Sequence, residues 1–390
     1  MLTNDAASAA TTDTAYDRWR EQAPVHRTVT PDGSPVWIVT RHADVRAAFA
    51  DPRLSLDKTH SNNGYAGFAL PPALDANLLN LDPPDHTRLR RLVTQVFTGR
   101  RVEQLRPAVQ DHVEQLLASV NPRQVTDLVT TLAAPLPLAV IGNLLGIDQL
   151  DQMRAWTDAL LAPGAHQPYT PRQAVTEMER YLRDLIADRR ANPDHSLTSA
   201  LIATRDGSDQ VNDDELTSLV FLLIWAGYET TIDALGTCIL TLLQQPGLWL
   251  RLHHQPEDIP AAIEEMVRLT APTPLSIRRF TTEEITIGGT RIPAGETVML
   301  LIASANRDPA AFPRPGTAEI NRAPNPHLTF GHGVHHCLGA PLARLELSVA
   351  IGTLAQRYPT MSLAVPAEQL IWRPSFRARG LTALPVLLEC

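Results

Sequence analysis

Phe330-Gly331-His332-Gly333-Val334-His335-His336-Cys337-Leu338-Gly339-Ala340 is the stretch on which the reading of this chain turns. A single cysteine stands among glycines, which let a backbone turn and pass close to a flat partner with no Cβ in the way. The run that follows, Pro341-Leu342-Ala343-Arg344-Leu345-Glu346-Leu347, puts proline where a first helical turn tolerates it and leucines at helical spacing. Unbonded N–H groups at a helix start favour an anionic sulfur and lower the pKa of a thiol. A thiolate in that setting is suited to ligating a haem iron, where it pushes electron density onto the metal. The other two cysteines, Cys238 and Cys390, leave the chain short of a four-cysteine iron–sulfur cluster. His332, His335 and His336 with Cys337 are also zinc-type donors, but no CxxC supplies the second ligand pair usual in a structural zinc site.

Bulk properties narrow the class. The 390 residues are 44% hydrophobic, ample for a large core, and the formal charge of −8 argues against general nucleic-acid binding. No Gly/Ser linker, long charge run or fixed-period repeat divides the chain, so one domain over residues 1–390 is expected. Residues 1–15 are polar and alanine-rich, no run of 18 apolar residues occurs, and the cysteines are few and far apart. Neither a secretory leader, a membrane span nor a disulfide framework is therefore expected, and a cytoplasmic protein is.

Apolar spacing predicts helices over residues 44–50, 84–97, 102–120, 126–145, 150–161, 171–192 and 342–357. Strand-like runs are few: 36–40, a hairpin over 285–292, and 297–302. The fold expected is mainly α, a large helical bundle with a helical part over about 84–270 and 341–357. A small β-rich part is drawn from about 25–40, 275–302 and the C-terminal region. Residues 56–80 lack periodicity and read as a long irregular loop, which is either functional or plain surface.

The longest helix predicted starts at Asn212-Asp213-Asp214-Glu215, a capping pattern, and stops at Gln244-Gln245-Pro246-Gly247. Its middle, Ala226-Gly227-Tyr228-Glu229-Thr230-Thr231, is made of poor helix formers around an acid. Threonine hydroxyls that compete for backbone carbonyls predict a local kink there. Either a packing glycine beside a solvated face or an opening for a ligand explains it. Leu222, Trp225 and Ala226, one to two turns before Thr230, are the candidate substrate-facing residues, and Trp225 is equally a core residue.

Three further segments complete the pattern. Glu265 and Arg268 in Ile263-Glu264-Glu265-Met266-Val267-Arg268-Leu269 are three apart on one helical face, where an ion pair forms. His86 and Arg90 in Asp82-Pro83-Pro84-Asp85-His86-Thr87-Arg88-Leu89-Arg90 are four apart behind a proline-led helix start. Arg278-Arg279 offers another pair of cations.

Together these strings resemble the cytochrome P450 family over nearly the whole chain. The cysteine stretch matches its F-G-x-G-x-H-x-C-x-G loop, 226–231 its A-G-x-[D/E]-T-T segment, 265–268 its ExxR, and 82–90 its D-P-P-x-H-x-x-x-R. Residues 305–309 and 325–328 look like those of soluble bacterial members, and Tyr228 stands where histidine is frequent. The resemblance implies the P450 fold and haem b with Cys337 as the iron ligand. Phe330, Gly331 and Gly339 would shape its loop, and Ala226 would lie over the macrocycle. His86, Arg90, Arg279 and His335 would be donors to its propionates, with Arg278 the competing choice at one of them. Thr230 would be the oxygen-binding alcohol, Glu229 the acid that feeds protons inward, and Glu265–Arg268 a buried structural brace. The implied activity is O2-dependent hydroxylation or epoxidation of a medium-sized, mostly apolar small molecule, a secondary-metabolite intermediate of the actinobacterial type. Radical coupling of aromatic substrates without oxygen insertion is the alternative, and a non-catalytic haem sensor a lesser one. No flavin or nicotinamide fingerprint is present, so electrons from NAD(P)H are expected through a ferredoxin and its reductase. Arg88, Arg91, Arg100, Arg101 and Arg344 are the candidate docking face for that partner.

Overall fold

The computed structural model describes residues 9–62, 70–75, 77–161, 168–206 and 209–389. The chain divides into two compact units. One comprises Met1–Ala66, Val113–Ala133 and Thr230–Cys390, the other Gly67–His112 and Ala134–Glu229.

The first unit holds the sheets. Five strands run in the order Val25–Val29, Pro35–Val39, Thr297–Leu300, Arg279–Thr281, Leu54–Ser55. The first two pair antiparallel, with Val25 opposite Val39, about the turn at Gly33. Thr297–Leu300 then joins Pro35–Val39 in parallel, with Val298 opposite Trp37. Apolar residues on these strands account for much of the core beneath: Val36, Ile38, Val298 and Leu300 are no more than 1% exposed. Beta-branched residues at alternate positions pack on a pleated surface, which is why these short runs are strands. A second sheet orders Ser362–Leu363, Pro385–Leu387 and Thr126–Asp127. Ile285–Ile287 and Thr290–Ile292 form the expected hairpin.

Helices dominate both units, as expected of a mainly α chain. Asp85–Val96, Leu150–Leu161, Pro171–Ala191 and Ala340–Arg357 lie within a few residues of their predicted bounds. Two predicted helices are each split. Residues 102–120 divide at Gln104–Leu105 into Gly99–Glu103 and Arg106–Ala118, with Pro107 in the first turn of the second. Residues 126–145 become the strand Thr126–Asp127, a π-helical turn Val129–Ala133 and the helix Pro135–Leu145. Apolar periodicity runs through such junctions, but proline lacks the N–H that helix continuation requires.

The central helix spans Asp213–Leu243, and its start closes as read: the Glu215 amide donates to Asn212 Oδ1 at 2.9 Å, and Asn212 N to Glu215 Oε2 at 3.0 Å. No break interrupts it at the predicted kink. Tertiary packing outweighs the weak propensity of Gly227, Thr230 and Thr231, a difference of at most about 1 kcal/mol per residue. It is the one single helix among the described residues long and apolar enough to cross a membrane, and most of its apolar window is buried in protein. Residues 63–69 and 76 of the irregular loop, and 162–167 after the helix Leu150–Leu161, lie outside the described residues. What is described of the loop includes two short helical turns, Lys58–His60 and Pro72–Asp75.

Candidate active site

In the first unit the cysteine stretch forms a tight loop ahead of the helix Ala340–Arg357. Gly331 and Gly333 sit at φ +72° and +75°, a left-handed region that other residues adopt only with strain. Space binds as tightly as torsion: a Cβ on Gly333 would meet Phe49 O and Ala50 Cα at 3.2 Å. The loop is closed on itself by the Cys337 N–H, which donates to Phe330 O at 2.8 Å. It leaves the Cys337 side chain exposed. A Cβ on Gly339 would lie 3.9 Å from that sulfur. Cys238, by contrast, is fully buried and burial pushes its thiol up to about 12, so it is inert.

Phe49, on the helix His42–Ala50, joins this loop to another predicted residue. Its ring packs at the Gly331 backbone, and the Arg279 guanidinium stands 5.3 Å from the ring centroid on a side chain 3% exposed. Arg279 also donates to Leu54 O at 3.4 Å. Arg278 is turned to another use, donating to Asp32 Oδ2 at 2.6 Å. Sequence reading missed Phe49, because an aromatic on a short helix carries no signal of what it touches.

The ExxR pair is buried completely: Glu265 and Arg268 side chains are 0% exposed and doubly bonded, at 2.8 and 2.7 Å. Their remaining capacity is met as well. Arg268 donates to the carbonyls of Asn306 and Pro315 at 2.8 Å, and Glu265 accepts from the Glu319 amide, Arg322 and Asn325. Burial alone would raise the Glu265 pKa, but Arg268 and the Glu319 amide hold it below its ordinary value. The brace reaches the cysteine stretch through Thr329, which donates to Val267 O at 2.8 Å and accepts from Asn306 at 2.9 Å.

Glu264, beside the pair, was not foreseen as functional. It accepts from Arg344 on the helix after Cys337, at 2.6 and 2.9 Å, and bonds His327 at 3.0 Å. The Arg344 guanidinium also stacks 4.4 Å from the centroid of Phe330. Burial works to raise the Glu264 pKa, yet His327 and Arg344 bring it down to about 2. Glu346, on that same helix, is 3% exposed, its Oε2 meets no hydrogen-bond partner, and burial pushes its carboxyl up to about 8.

In the second unit His86 and Arg90 share the helix Asp85–Val96. His86 is 1% exposed on the same face as Leu89 and Val93; burial first, then the Arg90 charge, lower its pKa, so it is neutral near pH 7. Arg88 pairs instead with Glu215.

The central helix carries the remaining candidates. Leu222, Ala226 and Thr230 fall at four-residue spacing on one stripe; Leu222 is half-buried, and Ala226 and Thr230 are exposed. Trp225 and Glu229 are half-buried beside it, while Ile224, Tyr228 and Thr231 on other faces are buried. Trp225 stacks on Phe221 with ring centroids 6.1 Å apart. An accessible stripe in the middle of an otherwise buried helix is how a helix presents side chains to a ligand. Past it, Asp233 is 2% exposed and pairs with Arg373, and Gly380 leaves the room its carboxylate occupies.

The donors of the first unit fit a haem: the soft accessible sulfur of Cys337 suits its iron, and the guanidinium of Arg279 and imidazole of His335 suit its carboxylate-bearing arms. The second unit by itself offers donors of the same kind in His86 and Arg90. Among the described residues no three His, Cys, Asp or Glu side chains gather as a metal-ligand cluster, which leaves the zinc alternative without a ligand set.

Comparison with known proteins gives the same answer. The cytochrome P450 family profile matches residues 160–257 and 259–366. Cytochrome P450 107B1 of Saccharopolyspora erythraea is 39% identical over 99% of this chain and 97% of its own length. The mycinamicin IV hydroxylase/epoxidase of Micromonospora griseorubida is 39% identical over 95% of this chain and 94% of its own. The solved structure of the bacillaene polyketide synthase cytochrome P450 PksS of Bacillus subtilis 168 superposes with a TM-score of 0.91, at 38% identity over 97% of each chain. The chain belongs to the cytochrome P450 family and is a P450 monooxygenase.

Proposed function

We propose that Cys337 holds the iron of a haem b, and that the enzyme uses O2 to hydroxylate or epoxidise a medium-sized, mostly apolar secondary-metabolite intermediate of the polyketide class. The observation that carries this is the accessible Cys337 thiol, presented by a glycine loop that the buried Glu265–Arg268 network braces. The substrate class rests on relatives described as acting in polyketide biosynthesis or on mycinamicin IV, and on the apolar character of Leu222, Trp225 and Ala226.

When bound, the haem supplies the oxygen-activating redox chemistry. The protein's share is positioning and proton movement. His86, Arg90, Arg279 and His335 serve as donors to the propionates, and Phe330, Gly331 and Gly339 shape the loop beside the sulfur. The Thr230 hydroxyl would serve as a hydrogen-bond donor toward the bound substrates, and the Glu229 carboxyl, next along the helix, would take protons from solvent and pass them on. Leu222, Trp225 and Ala226 line the approach and exclude water from it. Electrons come from NAD(P)H through a ferredoxin and its reductase. Of the five arginines considered for docking, Arg88 and Arg344 are neutralised by Glu215 and Glu264. Arg100 and Arg101 have no carboxylate partner among the described residues, so they carry the docking role together with Arg91. The site is proposed to work in the cytoplasm.

The test is the absorption spectrum of the reduced, carbon monoxide-bound protein beside Cys337→Ser. A strongly red-shifted Soret band in the wild type that is lost in the variant supports the assignment. A band at the position of a histidine-ligated haem in both proteins would overturn it. Product mass then sharpens the reaction. A gain of one oxygen supports insertion, and joining of two substrates with loss of two hydrogens would move the enzyme to oxidative coupling.

A further inference from the structure

Tyr228 is the most deeply buried polar residue of the mid-helix segment, at 1% exposure, and the acid and alcohol of the site are the next two residues. A buried phenol needs a partner for its hydroxyl. Tyr228 finds it on another helix of its own unit: the hydroxyl donates to Asp158 Oδ1 at 3.2 Å on Leu150–Leu161. Arg154, one turn earlier on that helix, stands 3.6 Å from Asp158 Oδ2. Burial, and then the Asp158 charge, raise the Tyr228 pKa, so the phenol stays a neutral donor at any working pH. One residue earlier, a Cβ on Gly227 would rest 3.8 Å from Ile141 Cδ1 on Pro135–Leu145. The turn preceding Glu229 thus faces two helices, with Ile141 beside Gly227 and one directed bond at Tyr228.

Phenylalanine would fill the same volume, so packing does not require the hydroxyl. What the hydroxyl adds is register. A hydrogen bond is directional, whereas apolar contact tolerates small slides and rotations of one helix on another. Rotation about the helix axis at residue 228 swings residues 229 and 230 with it, because they share its backbone.

We propose that the Tyr228–Asp158 bond is a positioning contact that sets the rotation of the central helix at the Glu229–Thr230 turn, and with it the delivery of protons. The proposal rests on the acid–alcohol reading of those two residues given above. Neither Tyr228 nor Asp158 touches the reacting atoms; they act through the helix.

The test uses the holoenzyme with a plant ferredoxin and its reductase, without any organic substrate. Two-electron reduction of O2 consumes one NADPH and yields hydrogen peroxide; four-electron reduction consumes two and yields water. Misdirected protons shift the balance toward peroxide. Tyr228→Phe and Asp158→Ala should each raise the peroxide formed per NADPH, and the double variant should be no worse than either single one. Asp158→Asn, which keeps an acceptor oxygen for the phenol, should behave as wild type. Amide exchange, read by mass spectrometry over residues 224–232, should rise about fivefold in the first two variants, as for loss of one net hydrogen bond, and stay unchanged over 171–191. Unchanged peroxide yield and unchanged local exchange in Tyr228→Phe, even with a lower melting temperature, would mean a packing residue only and overturn the proposal. So would additive effects in the double variant. Glu229→Gln is the control for the underlying reading. If it leaves the peroxide yield unchanged, the acid role of Glu229 fails, while the exchange data still decide whether the clamp exists.

Discussion

The Cys337 loop and the Glu229–Thr230 turn are both short polar interruptions in apolar surroundings, yet the protein builds them in opposite ways. The cysteine loop is over-determined: left-handed glycines, a backbone bond from Cys337 to Phe330, the Arg344–Glu264–His327 set, and the fully buried Glu265–Arg268 pair behind it. The mid-helix turn keeps an ordinary helical backbone and leaves Ala226 and Thr230 exposed, with directed side-chain bonds at Tyr228 and Asp233. A group that must hold one geometry is fixed by its own segment. A group that must meet a changing ligand is left open on a rigid rod.

That contrast is broken most directly at Arg268. Arg268→Ala leaves Glu265 charged in the interior and should destabilise the protein by about 3–5 kcal/mol. Thermal unfolding and haem content should fall together. A small shift in melting temperature with full haem content would show that the loop holds itself.

Thr230→Ala should do the reverse. The site is exposed and alanine is the better helix former, so stability should change by no more than about 0.5 kcal/mol. Product formed per NADPH should drop about a hundredfold, the range for losing a positioned proton donor, while peroxide rises. Equal losses of stability and activity would erase the distinction between the two regions.

Glu346 sharpens the comparison through pH. Its carboxyl is raised to about 8 in the folded state, against an ordinary value of 4.5. The folded protein therefore holds the proton more tightly than the unfolded chain. The associated stability is fully present below about pH 4.5 and is lost as pH climbs toward 8, by up to about 1.4 kcal/mol per pH unit. Glu346→Gln should flatten the melting temperature between pH 5 and 8. A wild-type curve already flat over that window would mean that the carboxyl has found a partner.

The smallest effect is expected at Arg344, whose side chain is 36% exposed. Arg344→Ala should cost about 0–1 kcal/mol at pH 7, as half-exposed ion pairs do. Its mark is at low pH. The Glu264 carboxyl, held at about 2, contributes stability above its ordinary 4.5 that disappears as pH falls toward 2. Acid unfolding of the variant should depend less steeply on pH in that window, and an unchanged acid limb would place the restraint on Glu264 with His327 alone.

The chain announces its chemistry where a residue type is needed for a reason the neighbours reveal. Cys337 among glycines, Glu265 three before Arg268, the Asn212–Glu215 cap and an acid–alcohol pair inside an apolar helix are all local patterns. Each follows from backbone geometry or side-chain reach over a few residues. The mainly helical class, the central helix and the hairpin at 285–292 were legible for the same reason: periodicity is a local property. What only the folded chain decided is partnership at long range. Phe49 beneath Arg279, Glu264 between Arg344 and His327, Tyr228 on Asp158, and Gly380 making room for Asp233 join residues between about sixty and more than two hundred positions apart. Arg278 and Arg279 were indistinguishable as neighbours in a string; the fold sends Arg278, just ahead of the strand, to Asp32 and Arg279, its first residue, into the core. Proline likewise cut two helices that apolar spacing alone read as continuous. Periodicity reports which face of an element is buried, but the identity of what buries it depends on packing and hydrogen-bond satisfaction that no short window of sequence contains.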